Sequence, residues 1–212
     1  TCALPISIFF DEGAMVGLFL DQREVRRTIR FQYAKGKAVL NTFSYTGAFS
    51  VFAALGGAKT TTSVDLANRS MEHTQKNFEL NNVSLENHQI LVEDVFHYFK
   101  FALKKGLSYD LLILDPPSYA KSKDFTFSAE KDYPSLLAEA IRITRNNGVI
   151  VASNNSSTIT LDKFKQIIGR GFNEAGARFE ILEMHQLPKD FRTHHLYEES
   201  NYLKVAFIKV LK

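Results

Sequence analysis

The run Leu111-Leu-Ile-Leu-Asp-Pro-Pro-Ser-Tyr-Ala-Lys-Ser-Lys123 sets an acid, two prolines and an aromatic directly behind four aliphatic residues. Four apolar residues in a row suit a strand buried on both faces. The prolines fix two φ angles and remove two donors, so the backbone must leave the sheet as a stiff extended arm. Its carbonyls and Asp115 can accept from an exocyclic amine or face a positive centre, and the Tyr119 ring can take an unstacked base. Lys121 and Lys123 add positive charge suited to a nucleic-acid backbone, although two lysines on a loop are commonly just solvated. A plain strand stop is the competing reading, but it requires neither the acid before the prolines nor the ring after them.

Outward from this run, short β-rich stretches alternate with stretches of helical period. That is the pattern of βαβ units around a mostly parallel sheet. The spacing predicts strands at 38–42, 60–65, 89–92, 111–115 and 148–153. It predicts helices near 48–55, 68–81, 95–104, 129–145 and 161–175. Two further β runs, 179–183 and 202–210, are joined by a long polar loop and are expected to close the sheet as an antiparallel pair. The expected fold is therefore α/β, a Rossmann-like, doubly wound, mostly parallel sheet of seven strands. Ahead of it, Ser7 to Phe10 and Met15 to Leu20 flank Asp11-Glu-Gly13 as a β-hairpin, and Glu24 to Tyr33 reads as a helix.

The 212 residues, 45% of them apolar, suffice for one substantial core. No apolar run approaches the roughly 20 residues of a membrane span, so the expectation is a soluble, cytoplasmic protein without a membrane partner. The single cysteine, Cys2, excludes an internal disulfide framework and a cysteine-rich metal site. The net charge of +3 permits a polyanionic partner without demanding one. Thr1-Cys-Ala-Leu-Pro-Ile6 matches the translation of a common sequencing-library adaptor, so 1–6 is expected to be a non-native leader. Residues 7–36 then form an N-terminal hairpin and helix, and 37–212 the main domain. No feature sets an oligomeric state.

Asn41-Thr-Phe-Ser-Tyr-Thr-Gly-Ala-Phe-Ser50 follows the first strand and opens a helix. Its amides and the helix N-terminus suit a carboxylate or phosphate, with Ser44 or Thr46 as caps. A dinucleotide fingerprint would carry three glycines where this turn has only Gly47, which weakens a nicotinamide reading. Asp65 ends the second strand 18 residues after Gly47, where a carboxylate in such folds accepts from ribose hydroxyls. Asp94 follows the third strand and either accepts from an adenine amine or caps the next helix. Ser153-Asn-Asn155 ends the fifth strand and can orient a substrate edge or satisfy turn backbone. Arg23, Arg26, Arg27 and Arg30 share one helical face, either an RNA surface or a solvated one. The six histidines show no metal-ligand spacing, and His194-His195 reads as surface, so no metal is expected.

Taken together, these strand ends resemble a class I S-adenosylmethionine-dependent methyltransferase. Gly17-Leu-Phe-Leu-Asp-Gln-Arg23, Phe43-Ser-Tyr-Thr-Gly47, Asp115-Pro-Pro-Ser-Tyr119 and Tyr202-Leu-Lys204 closely resemble the bacterial 23S rRNA large-subunit methyltransferase I and K group. The resemblance implies that S-adenosylmethionine is the cofactor and 23S ribosomal RNA the partner. Phe43, Ser44, Tyr45, Thr46 and Gly47 would wrap the methionine part, Asp65 would hold the ribose, and Asp94 with Val95 the adenine. Asp21, Gln22 and Arg23 would cover the cofactor from the hairpin. Asp115, Pro116, Pro117 and Tyr119 would present the target base for in-line displacement, with Asp115 also bordering the cofactor.

Two departures refine this. The I type makes 5-methylcytosine through a covalent thiolate adduct, its cysteine lying after the fifth strand, where this chain reads Ser153-Asn-Asn155. The segment instead resembles the K type, which methylates guanine N7, a nitrogen with its own lone pair. Many relatives also carry an N-terminal PUA RNA-binding domain, for which these residues leave no room. The expected function is thus methylation of a 23S rRNA base, guanine N7 before cytosine C5. The rivals are a methyltransferase for another RNA or a small molecule, and a non-catalytic RNA-binding assembly module.

Overall fold

The computed structural model describes residues 4–10, 16–121, 126–194 and 196–212. Cys2, the Asp11-Glu-Gly13 turn with Met15, Lys123 and His195 lie outside the described residues. Among the described residues seven strands form one sheet, in the spatial order β3 (His88–Val92), β2 (Thr60–Asp65), β1 (Ala38–Thr42), β4 (Tyr109–Leu114), β7 (Thr144–Asn154), β9 (Lys204–Leu211) and β8 (Arg178–His185), and β5 (Tyr119–Lys121) and β6 (Thr126–Ser128) form a separate ribbon. The chain divides into two compact units, residues 1–98 and 99–212.

In the first unit, β1 (Ala38–Thr42), β2 (Thr60–Asp65) and β3 (His88–Val92) pair in parallel, with Thr42 opposite Val64 and Asp65 opposite Val92. Their carboxyl ends are thereby aligned. The helices α2 (Ala48–Leu55) and α3 (Arg69–Leu80) connect them, and α4 (Val95–Lys104) follows β3. β1 buries Val39, Leu40, Asn41 and Thr42 in succession, as a strand covered on both faces must.

The start of this unit departs from expectation. No strand is assigned at 7–10 or 16–20 among the described residues; the reversal there carries a Phe9 N–H to Val16 carbonyl bond of 3.0 Å. The expected single helix is a 3-10 turn (Leu20–Gln22), a short α1 (Arg23–Thr28) and a π-helical turn (Ile29–Tyr33). The π-turn takes Arg30 off the 3.6 period, and within α1 itself the arginines do not share one solvent face. Arg26 is buried, with its guanidinium donating to the Phe19 carbonyl at 2.7 Å and lying over the Phe52 ring. Only Arg27 of the four is exposed.

In the second unit, β4 (Tyr109–Leu114) pairs in parallel with β7 (Thr144–Asn154), with Leu114 opposite Ala152. β9 (Lys204–Leu211) runs antiparallel to β7 and β8 (Arg178–His185) antiparallel to β9, the closing pair that the sequence predicts. The helices are α5 (Ala129–Ile143) and α6 (Leu161–Ala175). The ribbon of β5 (Tyr119–Lys121) and β6 (Thr126–Ser128) is additional to the expected elements.

Candidate functional site

The turn after β1 is held in an unusual shape. Phe43 and Tyr45 both adopt left-handed backbone, at φ 54° and 51°, and Gly47 follows at 70°. Non-glycine residues in that region carry strain that surrounding contacts must impose. The contacts are present. The Ser44 N–H donates to the Val64 carbonyl at 3.1 Å and the Tyr45 N–H to Asp65 Oδ2 at 2.8 Å. Asn77 Nδ2, from α3, donates to the Thr46 carbonyl at 2.8 Å. Gly47 is fixed sterically as well, because a Cβ there would lie 2.3 Å from Thr74 Cγ2.

Neither Ser44 nor Thr46 caps α2; its N-cap is Gly47, without a side-chain bond. Thr46 Oγ1 instead donates to the Gly17 carbonyl at 2.7 Å, and the Phe19 ring lies 5.8 Å from the Tyr45 ring. These two contacts bring the 17–23 segment onto the turn. Asp21 and Arg23 there are half-buried and Gln22 is buried, on the 3-10 turn and the start of α1 rather than on a hairpin strand. The first amides of α2 remain directed out of the helix end, as at any helix N-terminus.

Asp65 closes β2, with Oδ1 accepting from the Ala67 N–H at 2.9 Å and Oδ2 from Tyr45. Its backbone carbonyl accepts from the Glu93 N–H at 2.9 Å, which sets Asp94 beside it. Asp94 Oδ1 accepts from the His97 N–H at 3.0 Å, so the helix-capping reading of Asp94 is realised in α4. Val95, the first residue of α4, is buried.

In the second unit, Asp115 follows β4 half-buried, Pro116 is buried and Pro117 exposed. Ser153 Oγ donates to Asp115 Oδ1. Ser118 Oγ donates to Asn155 Oδ1 at 2.6 Å, and the Ala129 N–H donates to the Ser118 carbonyl at 3.0 Å. Tyr119, 63% exposed as a residue, then enters the ribbon opposite Ser128. Beneath them the buried Tyr133 hydroxyl donates to the Ser153 carbonyl at 2.9 Å and reaches the Leu114 carbonyl at 3.4 Å. Burial first, and the nearby Asp115 charge second, push this phenol well above its usual range, so it stays a donor. The Ser153-Asn-Asn155 segment therefore supports the Asp115-to-Tyr119 arm directly.

Three of these residues escape sequence reasoning: Thr74 and Asn77 around the turn, and Tyr133 beneath the arm; Gly17 and Ser118 are visible only inside resembling runs. Lys204 was visible only as part of a resembling run, without a role.

A mostly parallel sheet whose strand ends carry a strained turn, an acid pinned to that turn and a proline-stiffened acidic arm defines a Rossmann-like α/β protein. A family model for S-adenosylmethionine-dependent methyltransferases matches residues 6–192. The chain is 57% identical over 97% of its length to YwbD of Bacillus subtilis (strain 168), whose name assigns it provisionally to the ribosomal RNA large subunit methyltransferases. It is 36% identical over 88% of its length to ribosomal RNA large subunit methyltransferase K of Neisseria meningitidis serogroup B, and 33% over 97% to methyltransferase I of Aeromonas salmonicida. These matches cover 52%, 51% and 52% of the relatives, so the chain spans about half their length. The crystal structure of SMU.776, described as a prospective methyltransferase and complexed with SAH, superposes with a TM-score of 0.91 at 48% identity, covering 95% of this chain and 52% of that one.

The chain belongs to the S-adenosylmethionine-dependent methyltransferase family. The residues present fit that cofactor. Asn41 Oδ1, buried at the base of the turn, has no hydrogen-bond partner, and an ammonium group is the kind of donor it accepts. The outward amides of α2 suit a carboxylate, and Asp65 keeps lone pairs for hydroxyls. Among the described residues no cluster of histidine, cysteine or acid could hold a metal, and no helix is long and apolar enough to cross a membrane.

Proposed function

We propose that the chain methylates a base of large-subunit ribosomal RNA, at guanine N7 rather than cytosine C5. The observation that carries the choice of atom is Ser153-Asn-Asn155, which forms the end of β7 and the residue after it and is engaged through Ser153 with Asp115 and through Asn155 with Ser118. Cytosine C5 is a weak carbon nucleophile and needs a thiolate to add to the ring first. A hydroxyl or an amide does not supply that adduct, whereas guanine N7 attacks with a lone pair it already has.

In this reading Phe43 to Gly47 and the α2 amides hold the amino-acid part of S-adenosylmethionine, with Asp21, Gln22 and Arg23 over it. Asp65 takes the ribose hydroxyls, and the second Asp94 oxygen with Val95 borders the adenine. When bound, the cofactor supplies a methyl group on a positively charged sulfur. Asp115 and the carbonyls of Pro116 and Pro117 accept from the exocyclic amine of the base, and the exposed Tyr119 ring stacks on it. No proton has to be moved before N7 attacks, so alignment is the main contribution of these residues.

Mass mapping of 23S rRNA from strains with and without the gene tests this. One guanine that loses a methyl group in the deletion strain, and regains it on complementation, supports the reading. An unchanged set of methylated nucleotides, or a lost methyl on cytosine C5, overturns it.

A further inference from the structure

Lys204 is the first residue of β9 and only 3% exposed. Its backbone stands opposite Asn154, the last residue of β7, and its Nζ donates to the Ser156 carbonyl at 2.6 Å. A buried ammonium is normally found against a carboxylate. Here the acceptor is a backbone carbonyl, and burial pushes the amine down to about 8. A methionine or leucine would fill the same volume without that penalty, so the amine itself must matter to this turn.

The bonds around it form one continuous path. Asn154 Oδ1 accepts from the Ser156 N–H at 3.0 Å, closing a turn whose carbonyl Lys204 holds. The residues just before Ser156 then reach the arm: Asn155 accepts from Ser118, and Ser153 donates to Asp115. From the other side the Ser118 carbonyl is held by Ala129 and the Ser153 carbonyl by Tyr133. Two prolines make the arm stiff, but stiffness alone does not aim it; the polar contacts at Asp115 and Ser118 do.

We infer that Lys204 is a positioning residue: by tying the Ser156 carbonyl it fixes the Ser153-to-Ser156 turn, and through that turn it holds Asp115 to Tyr119 in the form that receives the target base. The inference rests on the proposed function for the word base, while the positioning itself is measurable without any substrate.

The test uses the 212-residue chain and Lys204→Met, which keeps the apolar stem and removes the donor. Hydrogen–deuterium exchange on the cofactor-free proteins should show peptides covering 115–119 and 153–158 exchanging about 10-fold faster in the variant, with β1 to β3 unchanged. Unchanged exchange at 115–119 overturns the inference, and so does a loss of protection along all of β7 and β9, which would mark a purely structural lysine. In methyl transfer to rRNA, kcat should fall about 10- to 100-fold with unchanged cofactor affinity. The loss in a Lys204→Met/Ser118→Ala double variant should be smaller than the product of the single losses, because both act on one arm. Fully multiplied losses mean that Lys204 acts by another route, against the inference. Failure of the functional reading looks different: the wild-type chain then transfers no methyl group to rRNA, while the exchange pattern at 115–119 still decides whether Lys204 positions the arm.

Discussion

Tyr45 and Asp65, twenty residues apart, are joined by a 2.8 Å bond from the tyrosine amide to the carboxylate. That bond makes one acid serve two ends. It holds the left-handed turn after β1 in register with the end of β2, and it leaves the remaining carboxylate lone pairs at the same place. In the proposed reading, where Asp65 takes the ribose hydroxyls, the shape of the turn and the affinity for the cofactor are coupled through a single side chain.

Asp65→Ala should weaken S-adenosylmethionine binding about 10- to 100-fold, because it removes both a charged acceptor and the pin on Tyr45. Asp65→Asn keeps one acceptor oxygen and should lose less. Calorimetric titration of the two variants checks the order. An alanine variant that binds like the wild type would take Asp65 out of the site.

Gly47→Ala should destabilise the fold by about 2–4 kcal/mol, combining left-handed backbone with overpacking against Thr74. Thr74 is buried and its side chain is short and branched, so it cannot swing clear of a new methyl group. Thr74→Ala placed on top of Gly47→Ala should recover part of the loss. Denaturant unfolding of the single and double variants measures the coupling, and strictly additive losses would mean that the two do not meet.

The regular elements were legible because their signals are local. Ala48–Leu55 and Thr60–Asp65 are bounded by turn residues and carry one period each, and the structure has them at the expected limits. What was not legible depends on partners far along the chain. Thr46 looks like a cap but turns to Gly17, 29 residues earlier, and nothing near Thr46 announces that. The arginine spacing suggests one face of a single helix; it cannot tell that Arg26 packs over Phe52, or that a π-turn ends the period before Arg30. Lys204 reads only as the third residue of an expected β run and the end of the Tyr202-Leu-Lys204 motif, without a role, because its partner strand lies fifty residues before it. The β5–β6 ribbon is three residues a side, too short for a period of two to show.

Tyr119→Ala should lower methyl transfer about 10- to 100-fold while leaving cofactor affinity and melting temperature close to wild type, since a stacked base contributes roughly 1–3 kcal/mol. The ring is mostly exposed, so its removal opens no cavity. Tyr119→Phe keeps the stacking face and should retain most activity. Parallel loss of stability and transfer in the alanine variant would assign the ring to the fold.

Lys204 also predicts how stability depends on pH. Burial lowers its folded-state value from 10.5 to about 8, so in that window the unfolded chain still holds the proton and the folded chain has released it. The unfolded state then binds more protons, and stability contributed by this residue rises with pH from about 8 towards 10.5, with no slope below 8. Other lysines and tyrosines titrate in the same range, so the useful quantity is the difference between the wild type and Lys204→Met. That difference should shift in favour of the wild type by about 1–3 kcal/mol across the window, measured by urea unfolding at a series of pH values. A difference that stays flat would place the amine of Lys204 in contact with solvent, and one that shifts towards the variant would mean that the charged form is the one the fold prefers.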